Sequence, residues 1–325
     1  MLARAGVFGL VTGAQMTPIT QMFCRYNGAM PELPEVETVV RELREGSAKR
    51  GPSVVGKTIA SVTVKWPRHI AMPSPRALKQ LLPGRTVERL GRRGKYLIFE
   101  LSVGGEHAAP QANGGEHDGS QAGGGALLIH LKMSGDLTVV TVASAAPDRH
   151  AHTVFHFTDG TALRFSDTRK FGKVFLVERA EDVTGALGPE PLEPAFTAAR
   201  LGRMLAERKR LLKPLLLDQT FIAGLGNIYT DEALHLARLH PMRRSDTLTT
   251  AEVHALWRGI RQALRSGIHY NGASLDWVYR GGGMQHHFRV YDRAGQPCPA
   301  CGTPIRRIVV GQRGTHFCPR CQKLR

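Results

Sequence analysis

Apolar residues recur along this chain at two spacings, and the switch between them divides it. Over 34–44, Val36, Val39, Val40 and Leu43 share one face of a helix. Short alternating segments bounded by Gly, Pro and Asp follow at 58–66, 85–90, 95–101, 126–132, 136–142, 153–157, 161–165 and 173–177. Many short strands at such spacing predict a β-sandwich or barrel. After Gly188-Pro189-Glu190-Pro191 the period becomes helical, over 198–205, 211–217, 227–237 and 251–267. The chain is therefore expected to be α+β, with strands before residue 190 and helices after it. The stretch 104–125, rich in Gly, Ala, His and Gln, interrupts two strands and reads as an insertion without chemistry, its His107 and His117 solvated. Residues 1–29 show neither period. They read as an upstream start assigned in error, with Met30 the initiator, or as a segment that is removed.

Composition narrows the class. A chain of 325 residues with 42% hydrophobic content has room for two domains with real cores. Its formal net charge of +17 favours a polyanion, nucleic acid ahead of a membrane surface. No apolar run approaches the roughly 20 residues of a membrane-spanning helix. Cys298, Cys301, Cys318 and Cys321 form C-x2-C, sixteen residues, C-x2-C, within Pro-Cys-Pro-Ala-Cys-Gly and Phe-Cys-Pro-Arg-Cys-Gln turns. That spacing suits one structural zinc ion, and two disulfides in a secreted domain are the alternative. Reduced cysteines point to the cytoplasm, and Cys24 is left as a free thiol.

The candidate chemistry begins at Met30-Pro31-Glu32-Leu33-Pro34-Glu35. Trimming an initiator methionine ahead of proline frees a secondary amine, which condenses with a sugar aldehyde to a cationic iminium. An α-amine has a pKa of about 8, so part of it is neutral at pH 7, and the positive end of a following helix lowers it further. Glu32 and Glu35 stand beside it as proton carriers. The plain alternative is a helix start, with Pro at the first position and acids in the first turn.

Five blocks in order resemble bacterial formamidopyrimidine-DNA glycosylase: PELPEVET, GRRGKYLIF, HLKMSG, DTRKFG, and GLGNIYTDEAL with the cysteine hairpin. The resemblance runs from Pro31 to Lys323, apart from the insertion. It implies a β-sandwich domain over 30–190, a helical domain with a helix–two-turns–helix motif over 191–290, and a zinc β-hairpin over 291–325. It also implies base-excision repair of oxidised purines (8-oxoguanine and formamidopyrimidines) in damaged double-stranded DNA, by a glycosylase that is also an abasic-site lyase. Pro31 would attack C1′, Glu32 would move protons at the opened sugar, and two eliminations would follow, the nucleophile dividing one hard step into easier ones. Lys95 would touch a phosphate beside the lesion, and Arg313 would enter the minor groove from the hairpin. Met133, Arg169 and Phe171 would fill the void left by the flipped nucleotide.

His130, His150 and His152 are weaker candidates for backbone contacts. Asn227 and Lys213 would grip flanking phosphates, with the glycines of Gly224-Leu225-Gly226-Asn227 letting phosphate approach a helix start. A helix N-cap is the ordinary role for Asn227. Glu232 matches an acidic position of less certain role, and 278–287 falls where the family has a lesion-capping loop. Lys132 stands where the family usually has glycine, and reads as surface variation. No organic cofactor is implied, and a monomer is expected because no heptad seam is present. Two other readings remain: the sister enzyme endonuclease VIII, acting on oxidised pyrimidines, and a non-catalytic damage-binding zinc protein. Leu33 within Pro31-Glu32-Leu33-Pro34-Glu35, with the Arg169 and Phe171 pair, favours the purine branch. Intact Pro31, Glu32 and Lys95 favour an enzyme.

Overall fold

The computed structural model describes residues 30–103, 124–274 and 281–324. Cys24, His107, His117, most of the insertion and the first residues of the 278–287 loop lie outside them. Helix α1 (Leu33–Glu45) opens the described chain. Nine strands follow: β1 (Ile59–Val64), β2 (Ile70–Met72), β3 (Arg85–Arg93), β4 (Tyr96–Val103), β5 (Ala126–His130), β6 (Gly135–Thr141), β7 (Ala151–Phe157), β8 (Thr161–Asp167) and β9 (Lys173–Val177), with helix α2 (Pro75–Leu81) between β2 and β3. They form a four-stranded sheet ordered β1-β7-β8-β6 and a five-stranded sheet ordered β2-β9-β5-β4-β3. Alternating residues such as Leu97, Phe99, Leu127 and Ile129 share one core with Leu137, Phe155 and Phe165 of the other sheet. The predicted strands recur within a few residues; β2 and α2 were not foreseen, being too short for a period to show.

Helices α3 (Glu181–Thr184), α4 (Ala198–Ala206), α5 (Leu212–Leu217), α6 (Asn227–Leu236) and α7 (Thr250–His269) make up the second half. Their core joins Leu201, Leu215, Leu225, Leu256 and Ile260. Strands β10 (Arg306–Val310) and β11 (Arg313–Phe317) pair antiparallel as a separate hairpin. Helix α1 belongs to both cores: Val36, Val39, Val40 and Leu43 face the sandwich, whereas Leu33 packs among the helices. Its N-terminus is thereby fixed at the junction, against the start of α6.

Candidate active site and DNA-facing surface

Pro31 lies ahead of α1, not inside it. Glu32 is the N-cap and Pro34 sits in the first turn, so Pro34 supplies the helix-start proline and Pro31 is left out of the helix. The Glu32 carboxylate is buried on the N-terminus of α6, accepting from the backbone amides of Gly226 and Ile228 at 2.8 Å and of Tyr229 at 3.3 Å. The Glu35 carboxylate accepts from the Glu32 amide at 2.9 Å, the Tyr229 hydroxyl at 2.7 Å and the Ala273 amide at 2.7 Å. Burial pushes the Glu32 pKa up to about 7, Lys95 pulling it down and Glu35 pushing it further up. Burial outweighs the donated hydrogen bonds, and the result is a carboxyl able to give or take a proton near neutrality. Glu35 is also raised, again mainly by burial.

The glycines before α6 serve a different purpose from the one expected. A Cβ on Gly226 would lie 2.3 Å from the Glu32 carboxyl carbon, and one on Gly224, whose φ is +88°, would lie 2.6 Å from Leu33. The Gly226, Ile228 and Tyr229 amides of this helix start hold Glu32. The glycines let the two helix ends close on each other.

The basic run Arg92-Arg93-Gly94-Lys95 divides by partner. Arg92 pairs with Glu37 and Glu190, each at 2.8 Å, and Arg93 with Glu190 at 3.0 Å and the Gly188 carbonyl at 2.7 Å. These ties brace the sandwich against the segment entering the helical half. Lys95 is buried, with no hydrogen-bond partner among the described residues. Burial lowers its pKa, Glu32 and Glu35 raise it, and Arg313 and Lys132 lower it again. These groups therefore share one electrostatic neighbourhood.

Arg313 opens β11 and is exposed, just past the tight turn Gly311-Gln312, whose φ values of 57° and 61° suit a two-residue hairpin. Asn227 is the first residue of α6, and its cap is Gly226, so Asn227 does not cap the helix. Its Nδ2 donates to the Gly314 carbonyl at 3.0 Å and holds the hairpin down. Lys213 also departs from expectation: it is fully buried, bound to Asp231 at 2.6 Å and to the Asn227 carbonyl at 3.0 Å. Its ammonium supports the start of α6 through these two contacts. Glu232 accepts from the amides of Arg289, Val290 and Tyr291, latching the segment that leads into the hairpin.

The four cysteine Sγ atoms lie within 4.8 Å of one another, and none is in a disulfide. Cys298 and Cys321 are 4.0 Å apart and Cys301 and Cys318 3.5 Å, bracketing the separation of about 3.8 Å that tetrahedral Zn–S bonds of about 2.3 Å require. Val290 and Ile305 pack beside them. The set fits one structural zinc with a closed coordination shell.

The wedge candidates sit on two loops that turn in the left-handed region, at Lys132 (φ 55°) and Lys170 (φ 60°). Phe171 is 50% exposed and Arg169 lies over its ring at 5.5 Å, while Met133 is half-buried; Phe171 is thus not a core residue. Between the loops, buried Asp167 accepts from the Ser134 hydroxyl, the Arg169 amide at 3.1 Å and the Gly172 amide at 2.7 Å. The His69 ring, then the Ser134 hydroxyl and the Gly172 amide, outweigh burial and bring the Asp167 pKa to about 2. Sequence reasoning missed this brace, although Asp167 opens the DTRKFG block.

His130 is buried and its pKa falls to about 3, through burial and then Lys132 and Lys95. Its Nδ1 accepts from the Lys132 amide at 3.0 Å, so the neutral ring carries its proton on Nε2. His150 lies partly exposed beside Arg149. His152 is buried edge-on against His69. Lys132 is half-buried, and its charge lowers the pKa of both His130 and Lys95, though less than burial does.

Comparison with known proteins agrees with this arrangement. The formamidopyrimidine-DNA glycosylase N-terminal domain model matches residues 30–174, the H2TH domain model of the same enzyme 187–278, and the model of a zinc finger found in FPG and IleRS 295–324. The formamidopyrimidine-DNA glycosylase of Roseiflexus sp. is 45% identical over 303 residues, covering 90% of this chain and 100% of its own. That of Symbiobacterium thermophilum is 44% identical over 302 residues, covering 90% and 89%. Among solved structures, wild-type Lactococcus lactis Fpg (MutM) in complex with DNA containing N7-benzyl-Fapy-dG gives a TM-score of 0.76 at 35% identity, over 90% of this chain and 100% of that one. The same enzyme in complex with DNA containing an oxidised pyrimidine gives the same values. MutM in complex with DNA containing carbocyclic 8-oxo-G gives 0.75 at 34%, with the same coverage.

Proposed function

This chain belongs to the formamidopyrimidine-DNA glycosylase family and is a DNA repair glycosylase with a zinc hairpin, and on that premise we propose the lesion it removes and the residues that remove it. Its substrate is an oxidised purine, 8-oxoguanine or a formamidopyrimidine, in duplex DNA. Once the Pro31 amine is free, its nitrogen attacks C1′ as the base departs and the sugar ring opens to an iminium. Loss of a C2′ proton expels the 3′ phosphate, and a second elimination expels the 5′ phosphate. Glu32 moves the protons, with a pKa of about 7 suited to both directions. Lys95 and Arg313 hold the negative charge of the opened backbone. Met133, Arg169 and Phe171 occupy the gap left by the flipped nucleotide; His130 and His150 approach the backbone.

The observation that carries this reading is the buried Glu32 carboxylate on the α6 amides, directly after Pro31, within the field of Lys95. A purely DNA-binding protein has no need to hold a carboxyl at neutral pKa inside such a junction. We also infer that the enzyme acts as a monomer in the cytoplasm; no described helix is long and apolar enough to cross a membrane.

The test is borohydride trapping on duplex DNA with 8-oxoguanine opposite cytosine, using protein begun at Met30 and at Met1. A covalent adduct from the Met30 form, absent when Pro31 is blocked, is expected. Binding without trapping by either form would overturn the lyase chemistry on this lesion. An oxidised-pyrimidine duplex run in parallel tests whether such lesions are accepted as well, an extension of substrate range for which the oxidised-pyrimidine complex of the Lactococcus lactis enzyme is the support.

A further inference from the structure

Helix α6 meets the zinc module along one row of side chains. Asn227, Asp231 and His235 are spaced four residues apart, so they stack on a single helix face. Asn227 donates to the Gly314 carbonyl at 3.0 Å, and Asp231 accepts from the His316 amide at 2.8 Å. His235 is buried, its Nε2 lies 3.4 Å from the Cys298 Sγ, and its Nδ1 has no partner. The first two contacts reach hairpin backbone; the third reaches a metal ligand itself.

The chemistry of that contact is constrained from both sides. With zinc bound, the Cys298 sulfur is a thiolate, an acceptor only. The His235 ring is buried against it, with Nε2 as the nitrogen facing the sulfur. A neutral imidazole carries one N–H, and the sulfur beside Nε2 is the acceptor within reach. The buried Nδ1 is left without a partner as a consequence, a penalty that the N–H···S bond has to offset.

We propose that His235 is a positioning residue for the zinc site, donating Nε2–H to the Cys298 thiolate and joining the metal module to the helix whose first turn holds Glu32. The bond stabilises the ligand as a thiolate and fixes Cys298 relative to α6. Outer contacts of this kind are worth roughly 10- to 100-fold in metal affinity.

The test uses the full chain in its zinc-loaded form. Zinc release to a chromogenic chelator is followed for wild type, His235→Phe, which keeps the ring shape without a donor, and His235→Gln, which restores an N–H. Release faster by about tenfold or more in the Phe variant, with partial recovery in the Gln variant, is expected. Wild-type release from the Phe variant would overturn the proposal. Should the Phe variant misfold, cadmium-113 substitution of the wild-type protein decides. A scalar coupling between the metal and the His235 Nε2–H proton supports the hydrogen bond, and a His235 ring protonated only on Nδ1 refutes it.

Discussion

The α1–α6 junction and the Met133/Arg169–Phe171 loops solve opposite problems with the same means. At the junction the Glu32 carboxyl is withdrawn from water and held by backbone amides of another element. At the loops Arg169 and Phe171, proposed to meet DNA, stay exposed, and a buried carboxylate, Asp167, holds the backbone behind them. In each case a carboxylate with several amide donors sets the geometry. Burial raises both, and their neighbours separate the pKa values, about 7 for Glu32 and about 2 for Asp167. Glu32 has Glu35 as an acidic neighbour, whereas Asp167, just as buried, has His69 beside it and a hydroxyl donor. A carboxylate that must shuttle a proton is placed where charge is costly; one that must only brace a loop is placed where charge is welcome.

That contrast can be broken at several points. The largest effect is expected from Glu32→Gln, which keeps the shape and loses the proton: turnover should fall on the order of 10²- to 10⁴-fold with duplex affinity retained. Equal turnover by the variant would remove Glu32 from the chemistry. The same variant tests the pKa through stability. Because the folded pKa is about 7 against 4.5 for the free group, the native state holds its proton over that interval while the unfolded state releases it. Stability is then complete below pH 4.5, declines as pH rises toward 7, and levels beyond. Urea unfolding across pH 4 to 8 should show a shallower decline in Glu32→Gln, with the remainder shared by Glu35 and Glu232, whose pKa values burial also raises; superimposable curves would contradict the burial argument.

Gly226→Ala should come next, since its Cβ would overlap the Glu32 carboxyl group. A loss of about 1–3 kcal/mol, read by urea unfolding, is expected together with a shifted pH–rate profile. A variant of normal stability and normal profile would show that the junction tolerates movement. Asp167→Ala should cost about 1–3 kcal/mol by stranding the Arg169 and Gly172 amides, and should weaken lesion binding through loops it never carries. The smallest change in stability, within about 0.5 kcal/mol, belongs to Phe171→Ala at an exposed site. Its excision rate should nonetheless drop while cleavage of a preformed abasic site persists, and loss of both together would place Phe171 in the chemistry.

Much of the molecule was legible in order of residues alone. Strand and helix periods set the elements, the paired C-x2-C motifs set the metal class, and Pro31-Glu32 marked the reactive end, because these features depend on neighbours a few positions apart. What the linear order could not assign were partners. Lys213 and Asn227 have the residue types of phosphate ligands, yet Lys213 is held by Asp231 and Asn227 reaches Gly314. The Gly224–Gly226 stretch has the composition of a phosphate cradle, yet it receives Glu32. Arg92 and Arg93 belong to the same basic run as Lys95, but Glu37 and Glu190, distant in sequence, neutralise them. Which charge is buried, paired or free depends on which elements fold against each other, and the sequence by itself determines only the groups that are available for pairing.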